Sequence, residues 1–378
     1  MKEAQRIYLD FNASTPIAPE VAEAMKPFFS RHFGNPSSQH WAGIPAKEAV
    51  EHARQQVAEL LQCSPGEIVF TSGGSESNNH ATKGVFFALR EKGNHLITTQ
   101  IEHPAVINPC RFLEKLGAEV TYVPVDRYGS VDPQDIKKAI SAKTILITVM
   151  HANNEVGTIQ PIEEISKIAR ERGIVFHTDA AQSVGKIATK VDDLGVDLLS
   201  IAGHKVYAPK GIGALYIREG TPIEPLIHGA GHESGRRAGT ENVLLNVGLG
   251  KACEIAKRYL GDDRICTRKD RFWKLLQDNF GEKVVLNGHP LHRLPNTLNV
   301  SFVGKAGGEI LFRLNGVAAS TGAACHSGSV ELSPVLKAMG ISPEVGMGAI
   351  RFSLGRTTTL QELERVVDLL KDALPSLG

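Results

Sequence analysis

The stretch that decides the fold is Asp197-Leu-Leu-Ser-Ile-Ala-Gly-His-Lys205. Its apolar run, Leu198–Ile201, contains no Gly or Pro and predicts a buried strand that ends at Ala202-Gly203. His204 and Lys205 therefore follow the carboxyl end of a strand, which is the edge of an open α/β sheet where ligands bind. Among small and apolar residues a lysine loses water, which lowers the pKa of its amine and makes it a usable nucleophile. The alternative is a surface lysine in a turn.

Outward from this stretch, strand and helix patterns alternate along the chain. Apolar runs at residues 68–71, 95–99, 119–124, 144–150, 174–178 and 214–217 predict strands, and amphipathic segments between them predict helices. This alternation is typical of an α/β fold with a mostly parallel sheet and helices on both faces. From about residue 244 a long helical stretch reaches Phe280 and predicts a bridge to a second, smaller domain.

The second domain is predicted to contain three strands and three helices. The strands are Val284–Leu286, Thr297–Phe302 and Val317–Ser320, and the helices are Glu309–Leu314, Ser333–Met339 and Leu360–Leu374. The predicted domains are a large one at residues 16–255 and a small one formed by residues 1–15 and 256–378.

Composition excludes several classes of protein. The 378 residues carry a net charge of +1, which argues against nucleic acid or a membrane surface as a partner. No run approaches the roughly 18 apolar residues of a membrane span, and no apolar signal segment follows Met1. The five cysteines are widely spaced without a Cys-x-x-Cys motif, so neither a disulfide framework nor a metal site is expected. These features predict a cytoplasmic protein.

The segment Phe70-Thr-Ser-Gly-Gly-Ser-Glu-Ser-Asn-Asn79 predicts a strand, a glycine pair and a helix start. The glycines Gly73 and Gly74 allow a close approach to the backbone, and a helix that starts near Ser75 directs its free N–H groups at the loop. This geometry suits a phosphate. The alternative is an ordinary strand–helix turn in which Ser75 caps the helix.

Polar side chains follow several of these strands at one edge of the sheet. They are Ser75, His103, Asn154, Asp179 with Gln182, and Lys205. Asp179 follows an apolar strand and needs a cationic partner to stay charged, while His103 could cover a flat ligand. These groups match the needs of pyridoxal 5′-phosphate: a lysine for the Schiff base, an aspartate for the pyridine nitrogen and a helix start for the phosphate.

With these motifs the sequence resembles the cysteine desulfurase family of fold-type I pyridoxal-phosphate enzymes. The matching stretches begin at Tyr8, Gly34, Phe70, Glu102, Asn153, His177, Gly203, Arg237 and Arg351, and they span nearly the whole chain. The resemblance implies an aspartate-aminotransferase-like fold, with a mostly parallel seven-stranded sheet in the large domain and a smaller α/β domain. It also implies a homodimer that converts L-cysteine to L-alanine.

The resemblance assigns roles to individual residues. Lys205 would form the Schiff base, Asp179 would pair with the pyridinium nitrogen, and His103 would stack on the ring and act as acid and base. The remaining cofactor contacts would come from Asn154, Gln182, Gly74, Ser75 and His204, and from Thr240 on a long loop that reaches the phosphate of the other subunit. Arg351, Asn154 and Asn35 would bind the substrate, Arg351 by a bidentate pair with its carboxylate.

Cys325 lies in Ser320-Thr-Gly-Ala-Ala-Cys-His-Ser-Gly-Ser-Val330, where nearly every neighbour is small or polar. The composition predicts a mobile loop with an exposed thiol, and the family's nucleophile occupies the matching motif. Its thiolate would attack the sulfur of the substrate and hold it as a persulfide. An iron–sulfur scaffold protein or a sulfur carrier would then accept the sulfur.

Two features depart from the commonest desulfurases, and three rival functions stay open. Ala202 stands where those enzymes usually have a serine that binds the phosphate, and Ala323-Ala-Cys-His-Ser327 also resembles selenocysteine lyases. The rivals are therefore a selenocysteine lyase acting on L-selenocysteine, an ordinary aminotransferase, and a phosphate-binding interaction protein built around Gly73-Gly74.

Overall fold

The computed structural model describes residues 6–321, 324–326 and 329–374, and for residues 324–326 and 329–330 it describes the backbone alone. The strands in chain order are β1 (Ile7–Tyr8), β2 (Ile68–Thr71), β3 (His95–Thr99), β4 (Glu119–Val123), β5 (Thr144–Thr148), β6 (Val175–Asp179), β7 (Leu198–Ala202), β8 (Gly213–Ile217), β9 (Val284–Asn287), β10 (Thr297–Phe302), β11 (Val317–Ala318), β12 (Ser320–Thr321), β13 (Ala324–His326), β14 (Ser329–Glu331) and β15 (Ala349–Ser353). The α-helices are α1 (Pro19–Met25), α2 (Gly43–Leu61), α3 (Gly74–Leu89), α4 (Pro104–Glu114), α5 (Pro133–Ala139), α6 (Ile162–Glu171), α7 (Val191–Leu194), α8 (Val243–Lys257), α9 (Arg264–Phe280), α10 (Gly307–Arg313), α11 (Pro334–Ala338), α12 (Pro343–Gly346) and α13 (Leu360–Ala373).

The large sheet has seven strands in the order β2-β8-β7-β6-β5-β3-β4. Its strands run parallel except β8, which is antiparallel to both β2 and β7. The predicted mostly parallel seven-stranded sheet is therefore confirmed. Because β2, β3, β5, β6 and β7 point the same way, their carboxyl ends lie at one edge of the sheet.

Both faces of this sheet are covered, as the continuous apolar strands require. One face packs against α2, α6 and α8 around residues such as Phe176, Leu199 and Ile201. The other packs against α3 and α4 around residues such as Val85, Leu96 and Leu113.

A second, antiparallel sheet has the order β12-β15-β10-β9 and packs against α9 and α13. Its apolar cluster includes Phe272, Phe352 and Leu363, and Ile7 and Leu9 from the start of the chain join it. The predicted division into a large domain at residues 16–255 and a small domain at residues 1–15 and 256–378 stays a prediction.

Apart from the segment around Cys325, the structure differs from the sequence-based expectation in three places. The helical stretch predicted to reach Phe280 is interrupted between α8 and α9. The strand predicted at Val317–Ser320 is two strands, because β11 pairs with β1 whereas β12 pairs with β15. Strand β15 was not predicted, although it lies inside the second sheet and carries Arg351.

In the part of the chain that the structure describes, no helix is both long and apolar enough to cross a lipid bilayer. A cytoplasmic location stays a prediction from the sequence.

Candidate active site

A cavity of about 570 Å³ lies at the carboxyl edge of the large sheet. This volume is in the range of small-molecule sites. Its lining brings together these residues singled out in the sequence: Gly74, Ser75, His103, Asn154, Asp179, Gln182, Ala202, His204, Lys205 and Arg351. In the described chain, Asn35 and Thr240 are exposed and do not line this cavity. The roles predicted for those two residues stay predictions.

Lys205 ends a short 3-10 helix, Gly203–Lys205, that directly follows β7. Burial lowers the pKa of the Lys205 ammonium, the nearby Asp179 carboxylate opposes this shift, and Arg351 adds to it. A lysine with a lowered pKa exchanges its proton more readily near neutral pH than an exposed lysine does. The role of Lys205 as the Schiff-base residue stays a prediction.

Asp179 is the last residue of β6 and is 6% exposed. Its Oδ1 accepts a hydrogen bond from the backbone N–H of Ala181 at 2.9 Å, and its Oδ2 accepts one from Nδ2 of Asn78 at 2.7 Å. These two donors stabilise the buried carboxylate. Asn78 also lines the cavity, and its Oδ1 is buried without a partner among the described residues. Asn78 lies in the glycine–serine motif that begins at Phe70, but no local pattern in the sequence distinguishes it from the neighbouring polar residues.

The phosphate-type geometry predicted at the start of α3 is present. Gly73 has a φ of +150°, a conformation that favours glycine, and α3 begins at Gly74. A Cβ on Gly74 would lie 3.1 Å from Cβ of Ala202, so only glycine keeps these two segments this close without a shift. The first N–H groups of a helix have no partner within it, and they make this end of the cavity a site for an anion.

His103 caps the helix that follows it. Its Nδ1 accepts a hydrogen bond from the backbone N–H of Ala105 at 3.1 Å, and Pro104 is the first residue of α4. Burial lowers the pKa of His103, the Lys205 ammonium lowers it further, and Asp179 opposes them. Because Nδ1 is the acceptor, the neutral ring carries its proton on Nε2.

Glu102, the residue before His103, is buried and connects two strand ends. Its Oε1 accepts hydrogen bonds from the hydroxyl of Thr99 at 2.7 Å and from the backbone N–H of Met150 at 2.9 Å. Burial raises the pKa of Glu102 to about 8, and the Asp179 carboxylate contributes to this shift. The side chain therefore ties the turn that carries His103 to the turn that carries Asn154.

Arg351, in the middle of β15, is 8% exposed and lines the cavity from the side of the second sheet. Its Nη1 donates to the carbonyl oxygen of Asn154 at 2.9 Å, and its Nη2 donates to Oδ1 of Asp10 at 2.7 Å. Its Nε is buried without a partner among the described residues. A guanidinium fixed in this way retains donors for a carboxylate ligand.

A second lysine, which was not predicted from the sequence to belong to the site, lies beside the cavity residue Gln182. Lys186 donates through Nζ to Oε1 of Gln182 at 2.9 Å and to Oδ1 of Asn12 at 3.0 Å. Gln182 in turn donates through Nε2 to the carbonyl oxygen of Asn12 at 3.0 Å. Burial lowers the pKa of Lys186, and the charges of Lys205 and Arg351 add to the effect. These contacts fix the orientation of the Gln182 amide.

Cys325 lies in β13, which pairs with β14 in a short antiparallel hairpin, whereas the sequence predicted a loop. Its side chain, and with it the predicted exposure of the thiol, falls outside the described part of the structure. The other four cysteines have raised thiol pKa values. Burial raises the pKa of Cys63, Cys110 and Cys253 to about 12, and it also raises that of Cys266. These four thiols are poor nucleophiles.

Comparison with known proteins identifies the family. The model of the aminotransferase class-V family matches residues 7–366. A cysteine desulfurase IscS of Dictyoglomus turgidum is 52% identical over 377 residues, which cover 99% of this chain and 95% of that protein. The cysteine desulfurase IscS of Methanosarcina thermophila is 48% identical, with 99% of this chain and 93% of that protein covered.

Solved structures agree with these relatives. A NifS-like protein superposes with a TM-score of 0.93 at 38% identity and covers 99% of this chain and 100% of its own. A structure titled SspA in complex with cysteine has a TM-score of 0.83 at 42% identity, with 92% of this chain and 98% of that chain covered. The chain therefore belongs to the class-V aminotransferases and, within them, to the cysteine desulfurases. The family resemblance stated from the sequence is confirmed.

Members of this family depend on pyridoxal 5′-phosphate, and the cavity fits that cofactor. The start of α3 offers free N–H groups to the phosphate, and the buried Asp179 carboxylate offers an acceptor to the ring nitrogen. Lys205 supplies an amine of lowered pKa. These groups lie in one cavity, so the enzyme is dependent on pyridoxal 5′-phosphate.

Proposed function

We propose that the enzyme is a cysteine desulfurase in which Cys325 takes the sulfur from L-cysteine, with the release of L-alanine. The observation that carries the proposal is the convergence of Lys205, Asp179, His103 and Arg351 on one cavity. The curated relatives named as cysteine desulfurases and the related structure titled as a complex with cysteine support the same activity.

The site residues have separate tasks in this proposal. Arg351 binds the carboxylate of the substrate, using donors that its contacts with Asn154 and Asp10 leave free. Lys205 moves the proton at the α-carbon, because burial favours the neutral amine more than in an exposed lysine. His103 lines the cavity with a ring that carries its proton on Nε2, and it acts there as acid and base. When bound, pyridoxal 5′-phosphate supplies an electron sink for the α-carbon.

Cys325 is the proposed nucleophile because the four other thiols have raised pKa values. Its thiolate attacks the sulfur of the substrate, an S–S bond forms, and the C–S bond of the substrate breaks. The carbon that loses sulfur takes up a proton and becomes the methyl group of alanine. L-cysteine and the Cys325 thiol thus give L-alanine and a Cys325 persulfide, and the reaction balances without another reactant.

The second candidate function is that of a selenocysteine lyase, and it is favoured only by the residues of the Cys325 motif, Ala323-Ala-Cys-His-Ser327. The two activities are separated by measuring sulfide release from L-cysteine and selenide release from L-selenocysteine on one cofactor-loaded sample, with alanine as the common product. We expect turnover of L-cysteine. Selenide release with L-cysteine inert would establish the lyase instead.

We also propose that the enzyme works as a homodimer in which Thr240 reaches the cofactor phosphate of the partner. Thr240 is exposed, and the loop that carries it is fixed to its own subunit by two ion pairs: Arg54 with Glu233 at 2.7 Å, and Arg237 with Glu76 at 2.9 Å. Glu241 lines a surface pocket together with residues 36–39. In the same subunit, the segment that contains residues 36–39 also carries Phe29, Phe33 and Trp41, whose side chains are 68%, 71% and 79% exposed. Exposed aromatic surface of this kind is typical of interfaces.

Mixed dimers test this arrangement. Lys205→Ala and Thr240→Ala chains are expressed separately and together, and sulfide release is compared. If Thr240 serves the partner's site, the mixed dimer has one site with both Lys205 and Thr240, and activity returns. Activity no greater than that of the separate variants would show that Thr240 acts in its own subunit or has no part in the site.

The acceptor of the persulfide sulfur is proposed to be a protein with a nucleophilic thiol, such as an iron–sulfur scaffold or a sulfur carrier. The curated relatives named IscS support this class of acceptor. Incubation of the radiolabelled Cys325 persulfide with each candidate, followed by gel separation without reductant, is expected to transfer the label. Transfer to dithiothreitol alone would contradict it.

A further inference from the structure

Two carboxylates beside Arg351 hold the two ends of the segment that contains Cys325. The inference rests on the proposed function, since it takes Cys325 as the nucleophile and Arg351 as the residue that binds the substrate carboxylate. The upstream end is Ser320 in β12, and the downstream end is Ser333, which directly precedes α11. Both serines lie in the part of the chain whose side chains are described.

At the upstream end, one side chain contacts both the segment and the arginine. Ser320 is paired with Arg351 in the antiparallel register of β12 and β15, so the two side chains lie on the same face of the sheet. Asp10 accepts a hydrogen bond from the Ser320 hydroxyl through Oδ2 at 3.0 Å, and one from Nη2 of Arg351 through Oδ1 at 2.7 Å. The carboxylate of Asp10 therefore fixes the position of Ser320 relative to the guanidinium.

At the downstream end, the hydroxyl of Ser333 both accepts and donates hydrogen bonds. It accepts from the backbone N–H groups of Val335 and Leu336 and so caps α11, and it donates to Oε2 of Glu155. Ser333 is 1% exposed, so this is a buried contact with a carboxylate. Glu155 follows Asn154, whose carbonyl oxygen accepts from Nη1 of Arg351 at 2.9 Å.

The guanidinium of Arg351 therefore contacts both the Asp10 carboxylate and the backbone next to Glu155, the two places that bind the ends of the Cys325 segment. Its Nη2 contacts Asp10, and its Nη1 contacts the turn that carries Glu155. Its Nε remains buried and unpaired among the described residues, which leaves a donor for the substrate.

We propose that Asp10 and Glu155 are positioning residues that join the substrate-binding arginine and both ends of the Cys325 segment into one hydrogen-bonded unit. Asp10 has the larger effect, because its carboxylate contacts Arg351 directly. The unit sets the distance between the bound carboxylate and the point where the nucleophile segment leaves the sheet. Asp10 acts on both substrate binding and sulfur transfer, whereas the Ser320 hydroxyl acts on sulfur transfer alone.

The test compares Ser320→Ala, Ser320→Thr and Asp10→Asn in the holoenzyme. The matched control is Ser342→Ala, an exposed serine that makes no side-chain capping bond. Two quantities are measured: the affinity for L-alanine, which has the carboxylate but no sulfur, and the single-turnover rate at which the persulfide forms on Cys325. The persulfide is located by mass spectrometry of the Cys325 peptide.

Ser320→Ala is expected to bind L-alanine with wild-type affinity but to form the persulfide about tenfold more slowly, which is the lower end of the effect of one lost hydrogen bond to a charged group. Ser320→Thr keeps a hydroxyl and is expected to restore the rate. Asp10→Asn is expected to weaken L-alanine binding and slow persulfide formation together. Ser342→Ala is expected to change neither quantity.

A persulfide rate in Ser320→Ala equal to that of the wild type would overturn the proposal. So would equal losses of binding and rate in Ser320→Ala that Ser320→Thr does not restore, since that pattern indicates a general disturbance of the sheet. Cys325→Ser is measured alongside. Continued sulfide release by Cys325→Ser would refute the proposed nucleophile, whereas an inactive Cys325→Ser with a fully active Ser320→Ala would refute only the positioning unit.

Discussion

Asn78 is expected to determine how firmly the enzyme holds its cofactor, although it was not singled out in the sequence. Its Nδ2 lies 2.7 Å from Oδ2 of Asp179, and both side chains are buried, at 1% and 6% exposure. Substitution of Asn78 by Leu removes this donor while keeping the branched shape and the number of heavy atoms of the side chain. The Asp179 carboxylate then keeps the hydrogen bond from Ala181 at Oδ1 and loses the one at Oδ2.

The size of the effect follows from the kind of bond that is lost. A hydrogen bond to a charged group contributes about 1.5–3 kcal/mol. At about 1.4 kcal/mol per factor of ten, its loss weakens the charged carboxylate's hold on the ring nitrogen by about tenfold to about a hundredfold. We therefore expect the dissociation constant for pyridoxal 5′-phosphate to rise by this factor in Asn78→Leu.

The assay is a titration of the apoenzyme with pyridoxal 5′-phosphate, followed by visible absorbance. Asn94→Ala is the control, because the Asn94 side chain also donates to an oxygen, the carbonyl of Gly117, but at the opposite edge of the sheet. Thermal unfolding of both apoenzymes checks that each variant is folded. A folded Asn78→Leu enzyme with wild-type cofactor affinity would refute the role assigned to this contact.

Three further predictions concern residues in or next to the cavity. Burial raises the pKa of Glu102 from 4.5 to about 8, so its stabilising contribution is complete below its unfolded pKa and is lost progressively as the pH rises towards about 8. Wild-type thermal stability should therefore fall from the unfolded pKa up to about 8 more than that of Glu102→Gln, and parallel curves over this range would contradict this. Arg351→Lys should raise KM for L-cysteine by about a hundredfold in steady-state assays, because lysine lacks the bidentate fork, and an unchanged KM would remove Arg351 from substrate binding. Ala202→Ser places a hydroxyl in the cavity wall opposite Gly74 and should tighten cofactor binding about threefold to about tenfold, as measured by equilibrium dialysis. Weaker binding would mean that the close contact between residue 202 and Gly74 leaves no room for the added hydroxyl.

The part of the site on the large sheet could be predicted because it depends on short-range patterns. Uninterrupted apolar runs such as Leu198–Ile201 indicate buried parallel strands, and such strands end at a common edge. His103, Asp179 and Lys205 each follow a run of this kind, so their meeting at one cavity follows from the topology. The phosphate-type loop could be predicted for the same reason, since its glycines and its helix start are adjacent in the chain.

The contacts that orient these residues could not be predicted, because they join residues far apart in the chain. Asn78 contacts Asp179 across 101 positions, and Gln182 contacts Asn12 across 170. Side-chain amides such as these occur throughout the sequence, and no local pattern specifies which of them are partners. Asn12 and Asn78 lie in the stretches beginning at Tyr8 and Phe70 that match the family, and this membership is the signal that could have indicated a role in the site.

Strand β15 was missed for a different reason. Ala349-Ile-Arg-Phe-Ser353 has a charged residue at its centre, and in a sequence such a residue argues against a buried strand. In the structure the guanidinium of Arg351 lines the cavity and donates hydrogen bonds to oxygen atoms of Asn154 and Asp10. The exception to the apolar pattern is therefore a residue of the site.

The most direct test of the central claim is mass spectrometry of the cofactor-loaded enzyme after a single turnover of L-cysteine, with digestion under non-reducing conditions and alanine measured in the same sample. The account predicts one additional sulfur atom on the peptide that contains Cys325, formed in step with one alanine and absent in Lys205→Ala. Alanine formation with the extra sulfur on another cysteine, or with no protein-bound sulfur, would contradict it.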